Sequence, residues 1–224
     1  MGHAARAELE SLLRARKLDV TLTTSAPWMA GVQEEEVRAP TGIVAIDSAL
    51  GGGLRRGHLS EIAGPRSSGR TTVLCHAMAA AGARGELAAM VDVTDRFDPV
   101  SAEAAGVDLS TLLWVREIGD LGRALKAIHL VLQAGGFGMV ALDLADVPPR
   151  VIRQVPYTTW IRLARTIEGS PTVAVIVGAE RTARSPGGVT ISLDRSSGRW
   201  SGGSDRSRLL HGIELQPRVV AAHG

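Results

Sequence analysis

The stretch GPRSSGRTT, Gly64 to Thr72, carries the residue types that a phosphate-binding turn needs. In the pattern G-x-x-x-x-G-K-[ST], set between a strand and a helix, backbone N–H groups and the helix N-terminus cradle phosphates while the lysine reaches the terminal ones. Gly64, Ser67, Ser68, Gly69, Thr71 and Thr72 supply such a cradle, with Thr71 at the hydroxyl position that coordinates Mg²⁺ beside a nucleotide. Arg70 stands where the lysine belongs. A guanidinium can hold phosphate, but it is bulkier than an ammonium and cannot take the same place between the last two phosphates, so hydrolysis should suffer more than binding. Two other readings stay open. Arg70 pairs with Asp143 or Asp92 and the loop is empty, or the segment is an ordinary strand-to-helix turn.

A second group capable of chemistry closes the apolar run GMVALDLADV. Asp143 at such a strand end can hold a Mg²⁺-bound water, the alternative being an aspartate that merely ends a strand. Nothing else converges. His58, His76 and His129 are isolated and lack metal-ligand spacing, and no nucleophile-elbow motif occurs. The single cysteine, Cys75, sits in an apolar run, which leaves no disulfide framework and points to a reducing, cytoplasmic setting. No apolar stretch is long enough to span a membrane, and the start MGHAARAELE has acidic residues where a signal peptide has its apolar region, so a protein that is neither exported nor membrane-bound is expected.

The net charge of +2 is unevenly spread: residues 1–149 carry 14 basic and 18 acidic groups, residues 150–224 carry 11 and 5. All 11 are arginines, suited to bidentate contact with phosphate or carboxylate. Arg181, Arg184, Arg195, Arg199, Arg206 and Arg208, with Trp200 among them, suggest a phosphate-contacting patch with one stacking residue, single-stranded DNA being its natural ligand. Edge-strand arginines that serve only solubility are the competing reading.

The elements that would position these residues follow from apolar periodicity. Ala7, Leu9, Leu12 and Leu13 predict a short amphipathic helix within residues 4–17, followed by an extended linker with the acidic cluster Glu34 to Glu36, so residues 1–39 form a tail and 40–220 a core domain. From Pro40 onward short apolar runs (HLSEIAG, LAAMVDV, LLWVREI, GMVALDLA, TVAVIVGA) alternate with helical stretches at Gly69 to Ala83, around Ala102 to Ala105, Leu121 to Gln133 and Thr158 to Ile167. That alternation predicts an α/β fold with a mostly parallel sheet covered by helices. VTISLDRSSGRW and LLHGIELQPRVV are expected as antiparallel strands added at one edge, and Trp114 and Trp160 as core residues.

The segment TGIVAIDSALGGGLRRGHLSEIAGPRSSGRTT resembles the approach to the phosphate loop in the RecA-like P-loop family. The likeness continues through VDVTDRFDPVSAEAAGVDLSTLLWV and GMVALDLADV, over roughly residues 40–180. It implies a RecA-like P-loop core that takes ATP or ADP with Mg²⁺ at the loop, with Thr71 and Asp143 at the metal and Asp98 near the adenine. The departures are concentrated in the site. Where the family has the glutamate that activates water, two residues after the strand's aspartate, Asp92-Val93-Thr94 offers no carboxylate. Asp95 could replace it only if a one-residue shift still aimed it correctly. Ser101 stands at the aromatic base-stacking position, and only Glu180 to Gly188 remain where the family carries a DNA-binding loop.

A short RecA-like core with these departures resembles the ImuA group, which accompanies a catalytically inactive Y-family polymerase homologue and an error-prone replicative-type polymerase in damage-induced (SOS) translesion mutagenesis. That resemblance implies an adaptor rather than a motor, with the polymerase-like protein and RecA as partners. An active DNA-dependent ATPase of the RecA or RadA type is the competing function, and a switch that binds nucleotide without turnover is a third.

Overall fold

The computed structural model describes residues 37–221 apart from 184, 186 and 205, with backbone alone over 194–199, 210–216 and 221. The predicted helix within residues 4–17 and Glu34 to Glu36 lie outside the described residues.

Four apolar runs form strands buried on both faces: β3 (Leu59–Ala63), β4 (Ala88–Asp92), β6 (Met139–Asp143) and β7 (Val173–Gly178). Such runs belong in the middle of a parallel sheet, where helices cover both sides. Before them come the two-residue strands β1 (Arg38–Ala39) and β2 (Leu54–Arg55), which pair antiparallel with each other. Arg38 and Ala39, expected to end an extended linker, are therefore already part of the folded core.

With β5 (Leu112–Arg116), β8 (Val189–Ser201) and β9 (Leu209–Ala221), the main sheet has the order β5-β4-β6-β7-β3-β8-β9. Every pair is parallel except β8 with β9. The expected antiparallel edge is thus one strand narrower: β8 joins β3 in parallel through Thr190 to Ser192, because the chain leaving β7 crosses over β3 and restarts in the same direction. An antiparallel neighbour would need only a tight turn.

The helices divide between the two faces. On one side α2 (Arg70–Ala83) buries Val73, Leu74, Ala77, Met78 and Ala81 against Ile62, Met90, Ala141 and Val175. On the other, α4 (Leu121–Ala134), following α3 (Pro99–Ala104), presents Leu121, Ala124, Ile128 and Leu132, whose helical spacing makes a single apolar stripe. Beside it α6 (Tyr157–Ile167), preceded by the single turn α5 (Pro149–Ile152), contributes Trp160, Leu163 and Ile167. Trp160 is core as expected. Trp114, on edge strand β5, is only half-buried, with its ring edge-on to Phe97 at 5.2 Å and the Arg116 guanidinium 4.6 Å from its centroid.

The entry to the core is fixed by α1 (Val44–Leu50). Asp47 accepts from Thr41 N at 2.7 Å, Thr41 Oγ1 at 2.8 Å and Gly42 N at 3.1 Å, which gives the Thr-Gly start and its downstream aspartate a common purpose. The glycine run that follows allows close approach: a Cβ on Gly53, whose φ is +130°, would lie 2.3 Å from the Ala39 carbonyl oxygen. No helix among the described residues is long and apolar enough to cross a membrane.

Candidate phosphate-loop site

The carboxyl ends of β3, β4, β6 and β7 align at one edge of the sheet, since Asp92 is in register with Asp143, Asp143 with Val177, and Gly178 with Ala63. Open α/β sheets bind ligands just outside such ends. The loop from Gly64 to Gly69 leaves β3 at this edge and turns into α2. It does so through left-handed backbone at Ser67 (φ 61°) and at Gly69 (φ 92°), the residue that caps α2. The first-turn N–H groups of a helix have no partner within the helix, so Gly69 to Thr72 present donors toward the loop.

Two further features fit a phosphate cradle. A Cβ on Gly64 would sit 2.5 Å from Ser68 Oγ and 3.1 Å from Leu193 Cβ, so a side chain there would displace the Ser68 hydroxyl. Ser68 is buried and its hydroxyl has no hydrogen-bond partner, an unusual cost for a polar atom away from water. Thr71 and Thr72 are exposed at the start of α2. The backbone cradle and its hydroxyls therefore suit phosphate oxygens, and Thr71 with Asp143 would be the residues to hold Mg²⁺.

The position of the missing lysine does not suit them. Arg70 is only 6% exposed, and its Nη1 donates to the Ala145 carbonyl oxygen, just past the end of β6, at 3.4 Å. Burial lowers its pKa, with Asp143 and Asp146 opposing that shift. No ion pair joins it to Asp143 or Asp92 among the described residues, so the pairing considered from sequence is replaced by a backbone contact. Asp143 is also buried: desolvation raises its pKa to about 6, against the hydrogen bond from Ala145 N at 2.8 Å and the charge of Arg70, while neighbouring Asp92 adds to the rise.

The remaining candidates are occupied structurally. Asp92, fully buried, accepts from Thr94 N at 3.2 Å and Phe97 N at 2.8 Å, which builds the turn after β4. Asp95, the alternative to the missing glutamate, is engaged by Arg116. Its backbone is left-handed (φ 54°) and its carboxylate makes two bonds to Arg116, at 2.7 and 2.8 Å, on the β5 side away from the loop. Asp98 caps α3, accepting from Val100 N, Ser101 N and Ser101 Oγ, so the serine at the base-stacking position completes a cap.

Among the described side chains, Arg181 lies apart from Arg206 and Arg208. Arg181, in the crossover from β7, donates through Nε to Thr190 Oγ1 at 3.1 Å at the base of β8. Trp200 lies ten residues further along extended chain, roughly 30 Å away at about 3.3 Å per residue. There it is half-exposed with the Arg208 guanidinium 5.3 Å from its ring centroid, and Arg206 is exposed in the same turn. Arg184 lies outside the described residues, and Arg195 and Arg199 are placed only by their backbone in β8.

Sequence reasoning missed Glu61. It is buried in the middle of β3, and its carboxylate accepts from Thr182 N and from Ala183 N at 3.0 Å, fastening the crossover over β3. The signal was present as a lone charge inside HLSEIAG. Among the described residues no group of three or more His, Cys, Asp or Glu is placed to hold a metal without a ligand's help.

Comparison with known proteins agrees with this geometry. Protein RecA of Mycobacterium ulcerans is 43% identical over 113 residues, 50% of this chain and 32% of that protein. Protein RecA of Symbiobacterium thermophilum is 46% identical over 105 residues, 46% of this chain and 30% of that protein. The chain thus spans about a third of the length of these relatives. The crystal structure of the RadB recombinase shares the fold, with a TM-score of 0.55 at 17% identity over 69% of this chain and 83% of that one. The RecA N-terminal domain profile matches residues 28–152, more than half of the chain and inclusive of the loop, Asp92 and Asp143, and the protein belongs to that family.

Proposed function

We propose that this chain is an adaptor of the ImuA type in damage-induced translesion DNA synthesis, built on a RecA core that no longer turns over ATP. The observation that carries the reading is Arg70, buried and bonded to Ala145 O where a lysine would reach terminal phosphates. Thr94 and the Asp95–Arg116 pair add to it by leaving no carboxylate to activate water. A core without turnover acts through its surfaces. The partners this reading assigns are an inactive Y-family polymerase homologue, an error-prone replicative-type polymerase and RecA, in the cytoplasm. Co-purification of the full chain with each candidate, alongside a steady-state ATPase assay with and without single-stranded DNA, tests it. Turnover that is abolished in Asp143→Ala would sink the adaptor reading in favour of a RecA- or RadA-type ATPase.

One observation favours retained nucleotide binding without turnover: the glycine-dependent cradle and the unpartnered Ser68 hydroxyl. In that case Gly64, Ser67, Ser68, Gly69, Thr71 and Thr72 hold the phosphates of ATP or ADP, and Thr71 and Asp143 the Mg²⁺. Asp98 would lie toward the base. Bound nucleotide would supply charge and order at the loop, and the chain's own residues would only bind and orient it. The arginine and tryptophan turn between β8 and β9 is the remaining candidate for DNA contact, tested by binding of oligonucleotides across salt.

A further inference from the structure

Beside the phosphate loop, at the same edge of the sheet, a cleft of about 550 Å³ opens between α5, α6 and the crossover that leaves β7. Its size is that of a site for a ligand or a few side chains. The floor is apolar and aromatic: Ile152 and Trp160 are buried core residues, and Val155 and Tyr157 line the wall above them. Tyr157, the first residue of α6, is half-exposed at the mouth.

The rim is basic. Arg153 and Arg181 border the cleft, and Arg150 and Arg162 are exposed on the same two helices. Over residues 150–182 five arginines face two acidic residues, Glu168 and Glu180. Glu180 is the one carboxylate at the rim among the described residues, and it is bonded to Arg153 Nη2 at 3.0 Å in a pair whose side chains are 58% and 69% exposed. Exposed pairs of this kind are weak and exchange readily for another carboxylate. Arg181 is held from behind by Thr190, which fixes its guanidinium at the mouth. Preorganised arginines around an aromatic floor are the composition of an anchoring pocket.

We propose that this cleft docks an acidic peptide segment of a partner protein, with an apolar or aromatic side chain on the Trp160 floor and flanking carboxylates on Arg153 and Arg181. The charge balance selects the occupant, since with Glu180 engaged by Arg153 a basic or uncharged segment would leave Arg181 without a carboxylate at a dry contact. The inference deepens the adaptor reading and rests on it. It names the surface and the chemistry of the partner segment, and it involves none of the phosphate-loop residues.

The test uses the full chain and three fluorescein-labelled peptides, Ac-DEFLDE-NH2, Ac-KKFLKK-NH2 and Ac-DESSDE-NH2, read by anisotropy at low ionic strength. The first should bind with saturation and the other two at least tenfold more weakly. Arg153→Ala and Tyr157→Ala, both at exposed positions, should each weaken the first peptide at least fivefold with an unchanged melting temperature. Arg153→Lys should recover only part of that loss, because a point charge lacks the bidentate fork. Equal binding of the basic peptide, no saturation up to millimolar concentration, or variants that leave binding intact would overturn the proposal. Complete displacement of the first peptide by oligo(dT) at equimolar concentration would assign the cleft to nucleic acid and also overturn the proposal. The adaptor reading fails separately, through ATP turnover or absence of co-purification with every candidate polymerase.

Discussion

Asp143→Asn sets two effects against each other at the centre of the site. Burial raises the Asp143 pKa from 3.8 to about 6, which means that ionising it in the folded protein is unfavourable. A carboxylate whose folded pKa lies above its unfolded value lets the native state bind the extra proton. The associated stability is fully present below pH 3.8 and lost as pH rises through about 6. A rise of about two units at ~1.4 kcal/mol each caps the cost near 3 kcal/mol at neutral pH. Opposing this, the Asp143 charge is the largest electrostatic support of buried Arg70, with Asp146 second. Asparagine keeps the carbonyl oxygen that accepts from Ala145 N, so the backbone contact survives. The attraction to Arg70 is already contained in that net rise, and burying the asparagine carboxamide takes back part of the gain, which leaves an expected stabilisation of about 1–2 kcal/mol at pH 7.5. Urea unfolding of wild type and variant at pH 4.0 and 7.5 reads it directly. The variant should gain stability at pH 7.5, show little change at pH 4.0, and have a flatter profile between them. Destabilisation at pH 7.5 would refute the reasoning by showing that the Asp143 charge is worth more to Arg70 than its own burial costs.

Calorimetric titration of ATP with Mg²⁺ into Arg70→Lys should give affinity at least tenfold above wild type, because a lysine vacates the contact with Ala145 O and reaches the cradle; equal affinities would show that Arg70 is not what limits binding. Glu61→Ala leaves the Thr182 and Ala183 N–H groups without their buried acceptor and should cost about 2–4 kcal/mol, with faster amide exchange confined to the crossover. Gly53→Ala would place a methyl 2.3 Å from the Ala39 carbonyl oxygen and should lower stability by more than about 2 kcal/mol in thermal unfolding, whereas Gly85→Ala, with open space around its Cβ, carries only the strain of its φ of +77°.

Strand and helix identity was legible wherever the apolar period was clean. TVAVIVGA read as a strand buried on both faces and Leu121 to Gln133 as a helix, and both formed. Direction within the sheet was not legible for β8, because parallel or antiparallel pairing depends on where the connection travels, and nothing in Glu180 to Gly188 says that it crosses β3. Glu61 settles that path through two backbone hydrogen bonds to a residue more than a hundred positions away, a contact that leaves no local pattern. The candidate site was legible as a set of residue types, since strand, glycine loop and helix come in fixed order. What each polar group does there was not, because Asp95 and Ser101 find their partners by geometry that depends on a left-handed residue and a helix cap.

The positions at which the adaptor reading expects lost chemistry also carry structure. Asp92 builds the turn after β4, Asp95 holds Arg116, Asp98 and Ser101 cap α3, and Arg70 secures the end of β6. Each of these groups already has a partner inside the protein. The cradle itself is the exception, with an unpartnered buried hydroxyl at Ser68 and donors at the start of α2. Selection for catalysis keeps polar groups underused until substrate arrives. Selection for a stable scaffold satisfies them in advance. By that criterion the loop, with its unpartnered Ser68 hydroxyl, is the part of the site best suited to an anion, and the groups around it are the part already committed to the fold, as the adaptor reading expects.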